Sequence, residues 1–231
     1  QMELARRGVH FQVRSGPRFF EQLHVKDVTA HLKVIVNPRD EVAWKRILQL
    51  LPGVGIATAR KIWQAVCQSA DPIRDLATDK FQEIFPKRTR GKWERLAENL
   101  QGMDRKKEEI GPAEMIHFVV EQGYQDYLES NFSNFPMRME DLDQLARFAE
   151  GFGRVNTFLS ELALINTVGE DNVEDEDLEK PLVLSTIHQA KGLEWKVVFV
   201  LWLVEERFPS SLALRESDDD EEERRLFYVA V

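Results

Sequence analysis

Cysteine is nearly absent: Cys67 is the only one in 231 residues, which excludes a disulfide framework and fits a reducing compartment such as the cytoplasm. Cys67 itself reads as a small buried helix residue. No run of eighteen apolar residues exists, so no membrane-spanning helix is expected. Gln1 to Arg7 is charged and amphipathic, with no apolar signal region behind it. His10, His24, His31 and His117 show no metal-ligand spacing, so no metal site is expected. No internal repeat is evident. What is present is 43% hydrophobic and 31% charged, enough apolar sequence for one large or two medium domains.

A net charge of −9 alone argues against a nucleic-acid binder. Its distribution argues otherwise. Residues 1–110 hold 21 basic against 14 acidic side chains, so the remaining 10 basic and 26 acidic ones make residues 111–231 strongly acidic. A basic half suits tracking phosphates while an acidic half faces solvent, though chance asymmetry explains the split equally well.

Along the chain, Met2 to Arg7 reads as the end of a helix with Gly8 as its cap, and Val9 to Val13 alternates like a short strand. Phe19 to Val36 has helical spacing. Asn37-Pro38-Arg39-Asp40 then breaks that helix and offers Asp40 as the next N-cap. Further helices are expected over 41–50, on both sides of a tight glycine turn within 51–66, over 71–110 with a loop at 86–91, and over 112–130 and 138–166. Gly169 to Lys180 is acidic and nearly free of apolar residues, a solvated linker. Leu182 to Ile187 and Lys196 to Leu203 are β-branched and apolar, as in buried parallel strands. A second acidic run, Glu216 to Glu223, leads into a final helix, Glu222 to Val231. The two ends therefore look α/β and the middle all-helical.

Two segments carry chemistry. The first is LVLSTIHQAKGLEWKVVFV, Leu182 to Val200, in which a strand delivers Ser185, Thr186 and His188 to a loop at its C-terminal edge, where open α/β sheets bind ligands. Thr186, His188 and Lys191 suit a phosphate, Gly192 permits close approach, and Glu194 suits a hydroxyl. A strand–turn–strand with an idle polar loop reads the same residues. The second is Leu50 to Ile62, LLPGVGIATARKI, which has the form of a helix–hairpin–helix. Gly53, Val54 and Gly55 would let the turn run close to a DNA phosphate, with the following helix offering free N–H groups and Thr58, Arg60 and Lys61 adding side-chain contacts. The alternative is a turn used only for packing. The basic run Lys87-Arg88-Thr89-Arg90-Gly91-Lys92-Trp93 reads as a solvated loop.

T-I-H-Q-A-K-G-L-E closely resembles motif V of superfamily 1 DNA helicases of the UvrD/Rep/PcrA type. The stretch Glu221 to Val231, EEERRLFYVAV, resembles the start of their motif VI, with Trp195 where the family often has Phe. Phe19-Phe20-Glu21 with Val25-Lys26-Asp27 resembles F-F-E-x-x-E-I-K-D, Asn37 to Asp40 resembles N-P-x-D, and Arg138 to Leu142 resembles R-x-E-N-L. The matches run in family order over nearly the whole chain. The resemblance implies an α/β fold: a truncated parallel-sheet RecA-like domain, 1–25 and 179–231, interrupted by an all-helical DNA-contacting insertion, 26–178, that holds the hairpin. It places Thr186, His188, Lys191 and Gly192 near the single strand and the motor cleft, and Glu194 at the ATP ribose. Arg224 and Arg225 fall in the motif VI helix, where salt bridging within the domain is the favoured role.

The departures bear on catalysis. The chain stops where the family's T-R-A triplet, with its arginine finger, would follow; no G-x-x-x-x-G-K-[ST] phosphate loop and no Walker B aspartate occur. The expectation is therefore a fragment of an ATP-dependent helicase translocating three-prime to five-prime. ATP and Mg²⁺ would bind in the full-length parent, and none to this fragment, which would be inactive alone. Its partners would be single-stranded and junction DNA and the missing first RecA-like domain, not a membrane. The rivals are a motor fragment of a RecB/AddA-like helicase-nuclease, toward which L-F-Y-V-A-V leans, and a non-catalytic DNA-binding or partner-docking module.

Overall fold

The structure, a computed structural model, describes residues 3–4, 7–9, 11–13, 19–76, 78, 89–167, 181–190, 192–201, 203–204, 225 and 228. The acidic linker expected at 169–180, Lys191, Arg224 and the acidic run 216–223 lie outside the described residues, as does the side chain of His188. The chain divides into two compact units, residues 19–171 and residues 1–18 with 172–231.

The larger unit is helical. A 3₁₀ turn, Phe19–Glu21, leads into α1, Leu23–Val36, followed by α2, Glu41–Gln49, and α3, Ile56–Val66. Next come the single turn α4, Pro72–Asp75, and the long α5, Arg90–Lys106. Then α6, Pro112–Val119, runs through a π-turn, Val120–Tyr124, into α7, Gln125–Asn131. The unit closes with α8, Phe135–Ala149, and α9, Val155–Thr167.

Helix α1 is the axis of this unit, packing against α2, α5, α6, α8 and α9. Val25, Val28, Leu32, Val34 and Ile35 lie buried along it. Trp44, Trp93 and Phe158 are fully enclosed around it; burying a large apolar side chain stabilises by roughly 1.5–3 kcal/mol. Residues 19–25 pack here too: the Phe20 ring lies 5.7 Å from Phe148. The break between α1 and α2 follows local chemistry. Asp40 accepts the Ala43 amide at 2.9 Å, an N-cap, and Arg39 donates to the carbonyls of Cys67 and Ser69 beyond α3.

Polar ties fix these helices in one arrangement. The buried Asp27 carboxylate accepts from Arg46 Nε and from the Tyr124 hydroxyl, each at 2.7 Å. Arg138 donates to His24 Nδ1 at 3.1 Å and lies 4.0 Å over the Phe132 ring. An acceptor at Nδ1 leaves the proton on Nε2, which donates to Asp141 at 3.0 Å. Arg138 thus joins α8 to α1.

The smaller unit contains two three-residue strands, β1, Phe11–Val13, and β2, Leu182–Leu184. They pair in parallel with Phe11 opposite Leu182 and Val13 opposite Leu184. One helical turn, α10, Ile187–Ala190, follows β2 directly. The expected strand at 196–203 is not formed among the described residues, and the expectation of a buried run is corrected: Phe199 is 79% and Leu201 72% exposed. A strand forms where a neighbour takes up its N–H and C=O groups, and no described residue pairs with this run. The helical ends expected at the two termini are present where described, at residues 3–4 and at 225 and 228.

Candidate nucleic-acid interface

The turn between α2 and α3 gathers the expected hairpin residues. Leu51 and Val54 are buried and pin the turn to the helices, with the Val54 amide donating to Leu51 O at 3.1 Å. Between them Gly53 sits at φ +77°, a left-handed conformation that an L side chain rarely adopts. Gly55 has extended backbone, φ −88° and ψ −179°, and occupies the N-cap of α3 without a capping side chain. A Cβ placed on Gly55 would meet nothing within 4 Å. The fold therefore requires the glycine at 53 and leaves open space at 55.

Past Gly55 the first turn of α3 carries amides that no helical carbonyl accepts. Ile56 and Ala57 are exposed there, and Thr58 is half-buried. Arg60 and Lys61 are exposed and take part in no ion pair among the described residues. Open space, free amides and two free cations on one turn suit a phosphate that approaches from solvent.

Sequence reasoning missed the neighbour of this turn. The basic run 87–93, read as a solvated loop, is described from Thr89 onward. Thr89 is fully buried and its hydroxyl donates to Pro52 O at 2.8 Å; Trp93 is fully enclosed. The start of α5 is therefore packed onto the hairpin turn, with Lys92 exposed beside it. The signal was present in the string, since a tryptophan four residues after a threonine puts both on one helical face, inward.

The described motif V residues belong to the other unit. Ser185 and Thr186 follow β2 and are exposed, and the Ala190 amide donates to Thr186 O at 3.1 Å, closing α10. Gly192 adopts φ +82° with open space around it, ending that turn. Glu194 and Trp195 then stand exposed. Thr186 thus stands between β2 and α10, and Gly192 and Glu194 follow α10; Arg225 is helical. The exposed Glu194 carboxylate can accept a hydrogen bond from a hydroxyl group.

The chain is 28% identical to the ATP-dependent DNA helicase PcrA of Staphylococcus epidermidis over 232 aligned residues, which cover 96% of this chain and 32% of that protein. It is equally identical to the protein of the same name from Bacillus subtilis, over 99% of this chain and 32% of that one. For the Staphylococcus aureus PcrA the figures are 28%, 94% and 31%. The chain thus spans about a third of the length of the curated relatives it matches. The family model of the UvrD-like helicase C-terminal domain matches residues 1–231, and the chain belongs to that family.

Proposed function

We propose that this chain is the second motor domain of an ATP-dependent DNA helicase, together with the helical insert by which that motor holds DNA. The observation that carries the reading is the family match along all 231 residues. In this reading residues 1–25 and 179–231 belong to a RecA-like domain, and residues 26–178 form the inserted subdomain with its helix–hairpin–helix. The parent moves three-prime to five-prime on single-stranded DNA in the cytoplasm, serving repair or replication.

The roles divide between two places. Thr186, His188, Lys191 and Gly192 line the single-strand side of the motor, and Glu194 holds the ATP ribose. The triphosphate and Mg²⁺ are held by the first RecA-like domain of the parent, the main partner of this chain. Arg224 and Arg225 brace the motif VI helix. Gly53, Val54, Gly55, Thr58, Arg60 and Lys61 hold the duplex backbone at the junction, by shape and charge rather than by sequence. Cleft closure on ATP then shifts motif V along the strand while the insert keeps its grip.

The test is made on the full-length parent protein: ATP hydrolysis stimulated by single-stranded DNA, and unwinding of a duplex with a three-prime tail. Stimulated hydrolysis with unwinding is expected. DNA-independent hydrolysis, or none, would refute the motor.

A further inference from the structure

Beside the hairpin turn the helical unit contains a cavity of about 240 Å³. Leu51 and Pro52 of the turn are among its lining residues, so the cavity borders the turn. Lys92 and Arg95, from the first two turns of α5, border it, and Tyr124 and Tyr127 supply an aromatic wall.

That wall is built rigid. The Tyr124 hydroxyl is anchored on buried Asp27, and burial, then the Asp27 charge, raises its pKa so that it stays a donor. Tyr127 stacks on Tyr124 with ring centroids 5.6 Å apart and planes 24° apart. The backbone kinks between α6 and α7 to allow this, with Gly123 at φ +130°. The missing side chain at Gly123 admits the Arg95 guanidinium, which a Cβ would approach to 3.3 Å. Arg95 is held in turn by Asp126 at 3.1 Å. Lys92, one turn earlier, is exposed and has no ion pair among the described residues.

Tyr127, half-exposed and packed edge-on to Phe132 at 6.1 Å, lines the same cavity as the unpaired Lys92 ammonium; an aromatic ring and a cation in one cavity are the chemistry of a nucleotide site, in which the ring takes a base and the cation its phosphate. A purely apolar ligand would leave Lys92 without a counter-charge. We propose that this cavity takes one unpaired nucleotide of the DNA held by the turn, its base against Tyr127 and its phosphate on Lys92. The inference rests on the DNA-holding role proposed for the turn and adds to it a preference for duplex ends that carry an unpaired base.

Three duplexes separate the parts: one blunt, one with a single abasic overhang, and one whose overhang carries 2-aminopurine. They are titrated with the 231-residue chain by anisotropy, with 2-aminopurine emission read in parallel. The base-bearing end is expected to bind about 10-fold tighter than the abasic one, the scale of one base–aromatic stack, with quenched emission. Tyr127→Leu removes that difference without changing blunt-end affinity. Lys92→Ala, an exposed change that leaves the fold intact, weakens both overhang ends relative to the blunt one. Equal affinity for base-bearing and abasic ends, with blunt-end binding still weakened by Lys61→Glu, overturns the cavity and leaves the turn. A base preference that survives Tyr127→Leu also overturns it. Blunt-end binding untouched by Lys61→Glu, with a base preference lost in Tyr127→Leu, supports the cavity and overturns the turn.

Discussion

Two glycines two residues apart have opposite meanings. At Gly53 the chain itself demands glycine, because φ is +77°. At Gly55 the backbone is ordinary and the space is empty, so only an external group makes a side chain costly. Gly53→Ala is expected to destabilise the chain by about 1–2 kcal/mol, the cost of a left-handed L residue. Gly55→Ser should leave stability within about 0.5 kcal/mol or raise it, since serine is a favoured N-cap. Urea unfolding of both variants measures this. Equal losses would mean that Gly55 is also structural.

The buried histidines give a second residue-scale expectation. Burial, the dominant cause for both, holds His24 and His31 below the ordinary 6.5, against the opposing pull of Asp141 on His24 and of the Asp27 carbonyl on His31. The unfolded chain therefore takes up protons near pH 6.5 while the folded one resists. The contribution of these residues to stability is complete above pH 6.5 and is lost as the pH falls below it. The thermal midpoint should drop between pH 7 and pH 5, and the drop should shrink in His31→Asn. An unchanged slope in that variant would show that His31 carries none of it.

At the scale of elements, the helices were readable because each is set by short-range chemistry. Asp40 capping α2, the proline–asparagine break before it and the two-glycine turn after it all act within four residues. The run at 196–203 was not, because a strand is a property of two segments, and apolar composition states only that a partner is wanted. The same limit hid the role of Thr89, whose partner Pro52 lies 37 residues away. The exposed run also makes a test. Phe199→Ala in this chain should change stability by no more than about 0.5 kcal/mol, the surface range, whereas a buried strand would lose about 3–5 kcal/mol. A loss of the larger size, read by chemical unfolding, would place Phe199 in a core.

For the whole molecule, the division of labour fixes what the chain does alone. In the proposed function Glu194 holds a ribose, and the sequence contains no phosphate loop. One hydrogen bond adds about 0.5–1.5 kcal/mol, while even millimolar binding needs about 4 kcal/mol. Titration calorimetry of the 231-residue chain with Mg-ATP is expected to show no binding. Micromolar affinity would require a nucleotide site within this chain and would undo the assignment of the phosphates to the parent's first domain.

The proposed function depends on the hairpin holding DNA by its phosphates. The most direct measurement is the affinity of the chain for a blunt duplex at several salt concentrations, by fluorescence anisotropy, for the parent sequence, Gly55→Val and Lys61→Glu. Each substitution removes one phosphate contact, so both variants should bind more weakly and the log–log salt slope should fall by about one unit, with helical circular dichroism unchanged. Unaltered affinity and slope in both folded variants would contradict the account.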